Sequence, residues 1–328
     1  MKAASKTHIS FFAYIDDLVQ VLILEGRIGT AQSYSKAKSS FFDFLLKSNI
    51  GEYESIRIES IDSILIRKYN RYLLSRGLVR NSISFYNRVL RSIYNKAVKQ
   101  YHLVDKRPFD QVYTGVDKTT NRAVRENTIA KMLTLDLSYD KSLEMVRDLF
   151  VFSYAARGMA FVDIAYLKKA NIRGEYISYC RKKTGARMEV RIESQIGRLI
   201  KKYTDPNSKY VFPILDDRSS DDEQEVYRHY QSKLASFNRK LKTLSSMVDE
   251  PLKLTTYVAR HSWATAARNT NIPMSIISEG LGHKSERTTR IYLASFDERL
   301  IDEANVKLLK RIRYLLVSMR ETTTTSNI

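Results

Sequence analysis

Through the first hundred residues, apolar side chains return every three or four positions in four blocks, punctuated by glycine or by Asn, Ser and Thr. That spacing predicts four helices packed on a shared core, because only a helix brings such positions onto one face. The first block covers residues 10–24 and stops at Gly26 and Gly29. Thr30 then reads as the N-cap of a second helix with Tyr34, Ala37, Phe41, Phe44 and Leu45 on one side. A third spans 60–76, carries Ile61, Leu65, Tyr69, Tyr72 and Leu73, and halts at Gly77. The fourth starts near Asn81, with Ile83, Tyr86, Leu90, Ile93, Tyr94 and Ala97 as its stripe.

Off that stripe the fourth helix shows Arg88, Arg91, Lys96 and Lys99, and Arg80 precedes it. A run of charge is by itself an ordinary solvated face. Here it is interleaved with Asn81, Ser82, Ser84 and Asn87, small polar groups that reach phosphates and base edges. Arg80, Asn81, Arg88, Arg91 and Lys96 are therefore the candidate nucleic-acid contacts.

Charge points to the same kind of partner. The 328 residues hold 55 Lys and Arg against 36 Asp and Glu, a formal +19 that suits a polyanion through counterion release. Residues 1–107 carry 18 basic and 9 acidic side chains and the remainder 37 and 27, so the excess is spread rather than confined to a tail. No apolar run has the length of a membrane span, and the opening MKAASKTHISFF lacks a signal-peptide core, which predicts a soluble, cytoplasmic protein. Cys180 is the only cysteine, which excludes an intrachain disulfide and a thiolate metal cluster.

The length suits two domains. Periodicity lapses around Pro108, and residues 108–122 read as a linker between a module at 1–107 and another at 123–328. In the second module, helices are expected near 125–133 and 143–154. Strand-like segments at 176–181 and 187–193 flank Lys182-Lys183-Thr184-Gly185, a hairpin turn. The acidic stretch 216–225 reads as a surface loop, followed by a helix over 224–246. An amphipathic helix is expected at 300–317, before a polar tail.

The motif that carries chemistry lies at 255–292, TTYVARHSWATAARNTNIPMSIISEGLGHKSERTTRIY. It contains Arg260 in ARHSWAT, His283 in LGH, and Tyr292 nine residues after that histidine. This block resembles the closing motif of the tyrosine recombinase, or phage integrase, family: H-x-x-R-H-[ST]-x-A-[ST], then L-G-H, then a tyrosine nine residues on. The pattern RGMAFVD at 157–163, together with YVARHSWAT, is similar to recombinases of Bacteroidetes mobile elements. Tyr257 departs from the family, standing where its first histidine usually does.

The resemblance implies a mainly α protein: an N-terminal four-helix, SAM-like core-binding domain and a mostly helical catalytic domain with a small antiparallel sheet. It implies site-specific DNA strand transfer through a 3′-phosphotyrosyl intermediate, giving integration, excision or inversion. Tyr292 would be the nucleophile, while Arg157, Arg260 and His283 would surround the phosphate. Lys183, on the hairpin turn beside Thr184 and Gly185, would protonate the leaving oxygen. Aligning Asp163 and Leu167 with the family's acid and leucine puts Ala160 in the place of the first arginine. Arg157 then stands one turn earlier, and on a helix would keep about the same face. Tyr257 either hydrogen-bonds the phosphate or fills the slot as an aromatic, and His261 matches a family histidine that packs rather than reacts. No metal and no nucleotide cofactor is implied. The expected partners are double-stranded DNA with inverted-repeat core sites, clamped between the domains, and three further copies of the chain docked through the C-terminal helix. A bacterial or phage-derived, nucleoid-associated protein is implied. A type IB topoisomerase or a catalytically inactive DNA-binding relative would share much of this pattern.

Overall fold

The computed structural model describes residues 10–48, 56–117, 122–216, 222–283 and 285–292, with isolated helical positions at 306, 309 and 310. The expected helix at 300–317 otherwise lies outside the described residues. The chain divides into two compact units, Met1–Thr119 with Ser220–Tyr227, and Thr120–Ser219 with Arg228–Ile328.

The first unit holds α1 (Phe11–Leu24), α2 (Ile28–Lys47), α3 (Ser63–Ser75) and α4 (Arg80–Gln100). Asp62 caps α3 by accepting the Leu65 amide at 2.8 Å. Gly26 at φ +68° and Gly77 at φ +73° supply the left-handed residues that turn the chain after α1 and α3. Thr30 is not the N-cap of α2. That helix begins two residues earlier, because Gly26 alone makes the turn, and Arg27 takes the cap position. Gly29 lies inside α2 for a packing reason, as the Tyr227 hydroxyl is 3.1 Å from where a Cβ would sit. The four helical stripes meet in one aromatic core, in which Phe41 stands edge-on to Tyr69 at 5.1 Å. Buried there, the Tyr69 hydroxyl is partnered by Ser40 at 2.8 Å.

The second unit is helical around a small sheet. Its helices are α5 (Glu126–Thr134), α6 (Lys141–Ala155), α7 (Phe161–Ala165), α8 (Ser194–Tyr203), α9 (Glu223–Met247, its first residues counted with the first unit), α10 (Val258–Asn269), α11 (Met274–Gly280) and α12 (Glu286–Tyr292). Strands β1 (Ile172–Arg173), β2 (Tyr176–Cys180) and β3 (Arg187–Arg191) pair antiparallel in that order, with Tyr176 opposite Arg191 and Cys180 opposite Arg187. The hairpin therefore closes one residue earlier than its sequence pattern suggests, since Arg181 already belongs to the turn. Asp148 on α6 is buried, and Arg147, Lys202 and Tyr203 surround it at 2.7–2.8 Å, which ties α6 to α8 and holds its carboxyl below the usual range. Among the described residues no helix is long and apolar enough to cross a membrane.

Candidate active site

Two of the residues singled out in the sequence, Arg260 and His283, meet in the second unit at the turn between α11 and α12, and the charge of Lys183 reaches His283 there. Arg260, in the first turn of α10, is 2 % exposed. Its Nη1 donates to the Gly158 carbonyl at 2.8 Å, and its Nη2 donates to the Leu281 carbonyl and lies 3.3 Å from His283 Nε2. Gly158, at φ +68°, is what lets Arg260 in: a Cβ there would meet the Arg260 Cα at 2.9 Å. His283 follows Gly282, at φ +61°, where a Cβ would meet Met188 Sδ at 2.6 Å and Arg181 Cδ at 2.7 Å. Burial lowers the His283 imidazole to about 4, helped by the charges of Arg260, Arg181 and Lys183. The ring is thus neutral at pH 7 and enclosed by cations suited to an anionic ligand.

Lys183 is exposed on the hairpin turn, and its field reaches His283. Gly185, at φ +69°, closes that turn by donating its amide to the Arg181 carbonyl at 2.8 Å. Neighbouring Lys182 is engaged differently, with its ammonium 4.4 Å from the Tyr166 ring. Tyr292 is the seventh residue of α12, which follows the LGH turn directly.

Arg157 reaches the same region by a route that its sequence spacing did not show. The expectation that it shares a helical face with Ala160 is wrong. Arg157 and Gly158 both adopt positive φ, at +56° and +68°, and break the chain between α6 and α7, while Ala160 caps α7. From this turn its exposed guanidinium donates to the Glu189 carbonyl of β3 at 3.3 Å, and its charge acts on Tyr179 of β2. A non-glycine residue held at positive φ is a strained position that the surrounding fold must impose.

Tyr257 occupies the cap position of α10, is 48 % exposed, and meets His261 edge-on with ring centroids 4.9 Å apart. Burial lowers His261 to about 4, aided by Arg122 and Arg260.

Two side chains at this site gave no sequence signal. Arg181 is 6 % exposed, and its Nη1 donates to the carbonyls of Leu281 at 2.9 Å and Gly282 at 2.7 Å. Its Nε lies 3.7 Å from Asp163 Oδ2, and Asp163 Oδ1 accepts the Lys182 amide at 2.8 Å. The buried acid that the motif aligns at Asp163 therefore braces the hairpin and, through Arg181, the LGH turn. Thr289, fully buried on α12, lies 2.8 Å from His283 Nδ1 through its hydroxyl.

The basic face of α4, in the first unit, is partly committed to its own chain. Asn81 donates to the Asp117 carbonyl at 3.2 Å and accepts the Asp117 amide at 2.8 Å, while Asn87 donates to the Tyr113 carbonyl at 3.2 Å. Arg91 donates to Thr114 Oγ1 at 2.9 Å. Arg80 lies over the Tyr113 ring at 3.9 Å and pairs with Asp117 at 3.7 Å. Arg88, Arg91, Ser92, Asn95, Lys96 and Lys99 line an open groove along the same helix.

Comparison with known proteins agrees in both units. Residues 10–114 match the phage integrase SAM-like domain and residues 122–299 match the phage integrase family. Tyrosine recombinase XerC of Pediococcus pentosaceus is 25% identical over 288 residues, covering 83% of this chain and 89% of the relative. Among solved structures, the Tn1549 transposon integrase in complex with transposon right end DNA superposes with a TM-score of 0.61 at 12% identity, covering 92% of this chain and 99% of that one. A lambda integrase dimer bound to a COC′ core site does so with 0.59 at 13% identity, covering 86% and 94%. At such identities the structures speak for the fold, a mainly helical integrase fold with a small antiparallel sheet. The chain belongs to the phage integrase family and is a site-specific tyrosine recombinase.

Proposed function

We propose that Tyr292 attacks a scissile phosphate of duplex DNA, forming a 3′-phosphotyrosyl bond as the bond to the 5′ oxygen breaks. Lys183 gives that oxygen its proton, the phenol proton of Tyr292 passes to His283 or water, and Arg157, Arg260 and His283 stabilise the charge on the non-bridging oxygens. The 5′ hydroxyl of a partner duplex then reverses the step. The phosphotyrosine conserves the energy of the broken phosphodiester, so no nucleotide is consumed. The observation that supports this reading best is the meeting of Arg260 Nη2 and His283 Nε2 at 3.3 Å, within the field of Lys183 and beside the helix that carries Tyr292. Arginine suits this place because its fork of donors grips two phosphate oxygens at once.

In this reading residues 1–107 are the core-binding module, 108–122 the linker and 123–328 the catalytic module. Arg80, Asn81, Arg88, Arg91 and Lys96 contact the DNA, and Asn81 exchanges its bonds to Asp117 for the duplex. The protein works in the cytoplasm on inverted-repeat core sites, as a tetramer assembled through the segment 300–317, with integration, excision or inversion as the outcome. A nicked suicide substrate built on the flanking repeats of the native locus tests it. Wild type is expected to form a covalent adduct that Tyr292→Phe does not form, and an adduct persisting in that variant would overturn the assignment.

A further inference from the structure

We propose that Thr289 is a positioning residue for strand transfer, holding the His283 ring in the tautomer with hydrogen on Nδ1. The assignment follows from donor and acceptor types. A guanidinium has only donors, so the 3.3 Å approach of Arg260 Nη2 makes His283 Nε2 the acceptor, and the hydrogen of a neutral ring then sits on Nδ1. Nδ1 lies 2.8 Å from the Thr289 hydroxyl, which accepts that hydrogen. Were the hydroxyl to donate to Nδ1 instead, the single hydrogen of the neutral ring would sit on Nε2 and face the guanidinium hydrogens.

Thr289 is fully buried, so its hydroxyl is held where the ring needs it and no solvent competes for the bond. It stands in the middle of α12, three residues before Tyr292. The bond therefore joins the helix that carries the nucleophile to the histidine beside Arg260. It also survives protonation, because an imidazolium keeps its hydrogen on Nδ1 while Nε2 gains one. A ring anchored in this way keeps Nε2 beside the Arg260 guanidinium and can take up a proton there without turning. This refines the reading that His283 acts at the phosphate, and rests on it.

The test has two independent parts. Long-range proton–nitrogen NMR on the full chain with nitrogen-15-labelled histidine reads the tautomer without DNA. Wild type is expected to show hydrogen on Nδ1 of His283, hydrogen-bonded to the Thr289 hydroxyl, and Thr289→Val to shift the Nδ1 resonance as that hydrogen loses its acceptor, whereas hydrogen on Nε2 in the wild type, or an Nδ1 resonance unmoved in Thr289→Val, would overturn the proposal. Single-turnover cleavage of the suicide substrate reads the consequence. Thr289→Val, nearly isosteric, should cleave about tenfold more slowly, the fold-change of one lost hydrogen bond to a buried group. Thr289→Ser should restore the rate, with DNA affinity unchanged in both. Should Ser fail alongside Val, or Val cleave like wild type, the hydroxyl is not what matters and the proposal falls. His283→Ala cleaving normally would instead remove the role of His283 itself, a separate failure that the NMR result does not share.

Discussion

Replacing Arg181 by methionine should destabilise the second unit severely, and the size of the effect follows from what the side chain holds. Its guanidinium, 6 % exposed, supplies a hydrogen bond to the Gly282 carbonyl at 2.7 Å and a countercharge 3.7 Å from Asp163, itself 4 % exposed. Leu281 loses less, because Arg260 also donates to its carbonyl. Methionine fills most of the volume but leaves one carbonyl unpaired and one carboxylate uncompensated. Breaking a buried pair from one side costs about 3–5 kcal/mol, a large share of the roughly 5–15 kcal/mol that a domain has to lose. Burial already pushes the Asp163 carboxyl up, against the pull of Arg181 and Arg260. Without Arg181 it rises further, and an acid whose folded pKa is raised adds stability at low pH that is lost as pH rises. The gap between variant and wild type should therefore narrow on acidification. Trp263 is the only tryptophan and packs with Ile277 and Leu281, so its fluorescence in a urea titration reports this region directly. The decisive comparison is the double variant Asp163→Asn with Arg181→Met. It removes the stranded charge while keeping an acceptor for the Lys182 amide, so it should be more stable than Arg181→Met alone. A single-variant cost below about 1 kcal/mol, or a double variant whose cost equals the sum, would refute the reasoning.

Acidification of the wild type gives a second measurement. His261 and His283 are lowered from 6.5 to about 4, so the unfolded chain takes up protons first, and stability present above pH 6.5 is lost as pH falls towards 4. At pH 5 each ring should cost at most about 2 kcal/mol, and a urea midpoint unchanged between pH 7.5 and pH 5 would contradict those environments. Gly158→Ala should abolish cleavage by driving a Cβ into the Arg260 backbone, whereas Gly185→Ala, with nothing within 4 Å, should cost only the about 1–2 kcal/mol of a left-handed residue; equal effects in the two variants would argue against the close approach as the cause. Asp117→Asn should release Arg80 and steepen the dependence of DNA affinity on salt by roughly one counterion. An unchanged slope would show that Arg80 does not reach phosphate.

How far the sequence could be read depended on whether a feature is local along the chain. The stripes of α1–α4 are local, since burial of every third or fourth residue is written into the spacing, and their members form one core. The Lys182–Gly185 turn was legible for the same reason. Thr30 misled because a good cap residue two positions inside a helix looks the same as one at its start, and only the φ of Gly26 decides between them. Arg157 misled in the opposite sense. A shared helical face requires a continuous helix, and two consecutive positive φ values, at Arg157 and Gly158, cut it.

Arg181 and Thr289 were silent for a more general reason. The carbonyls that Arg181 serves lie 100 or 101 residues away across the fold, and the partner of Thr289 lies six residues away around a turn. Nothing in the type or spacing of a buried arginine says that it serves carbonyls rather than solvent. The motif nevertheless contained an indirect clue, in the glycines. Gly158 and Gly282 both adopt positive φ and both stand where a Cβ would strike an arginine, Arg260 in one case and Arg181 in the other. Gly158 and Gly282 thus each mark the seat of a guanidinium, and the two together fix the spacing between the hairpin, the Arg157 turn and the LGH turn. It follows that the geometry of this pocket is set less by the residues that would touch phosphate than by two backbone positions that exclude a methyl group. Variants at those positions should lose cleavage while every chemically reactive side chain is still present.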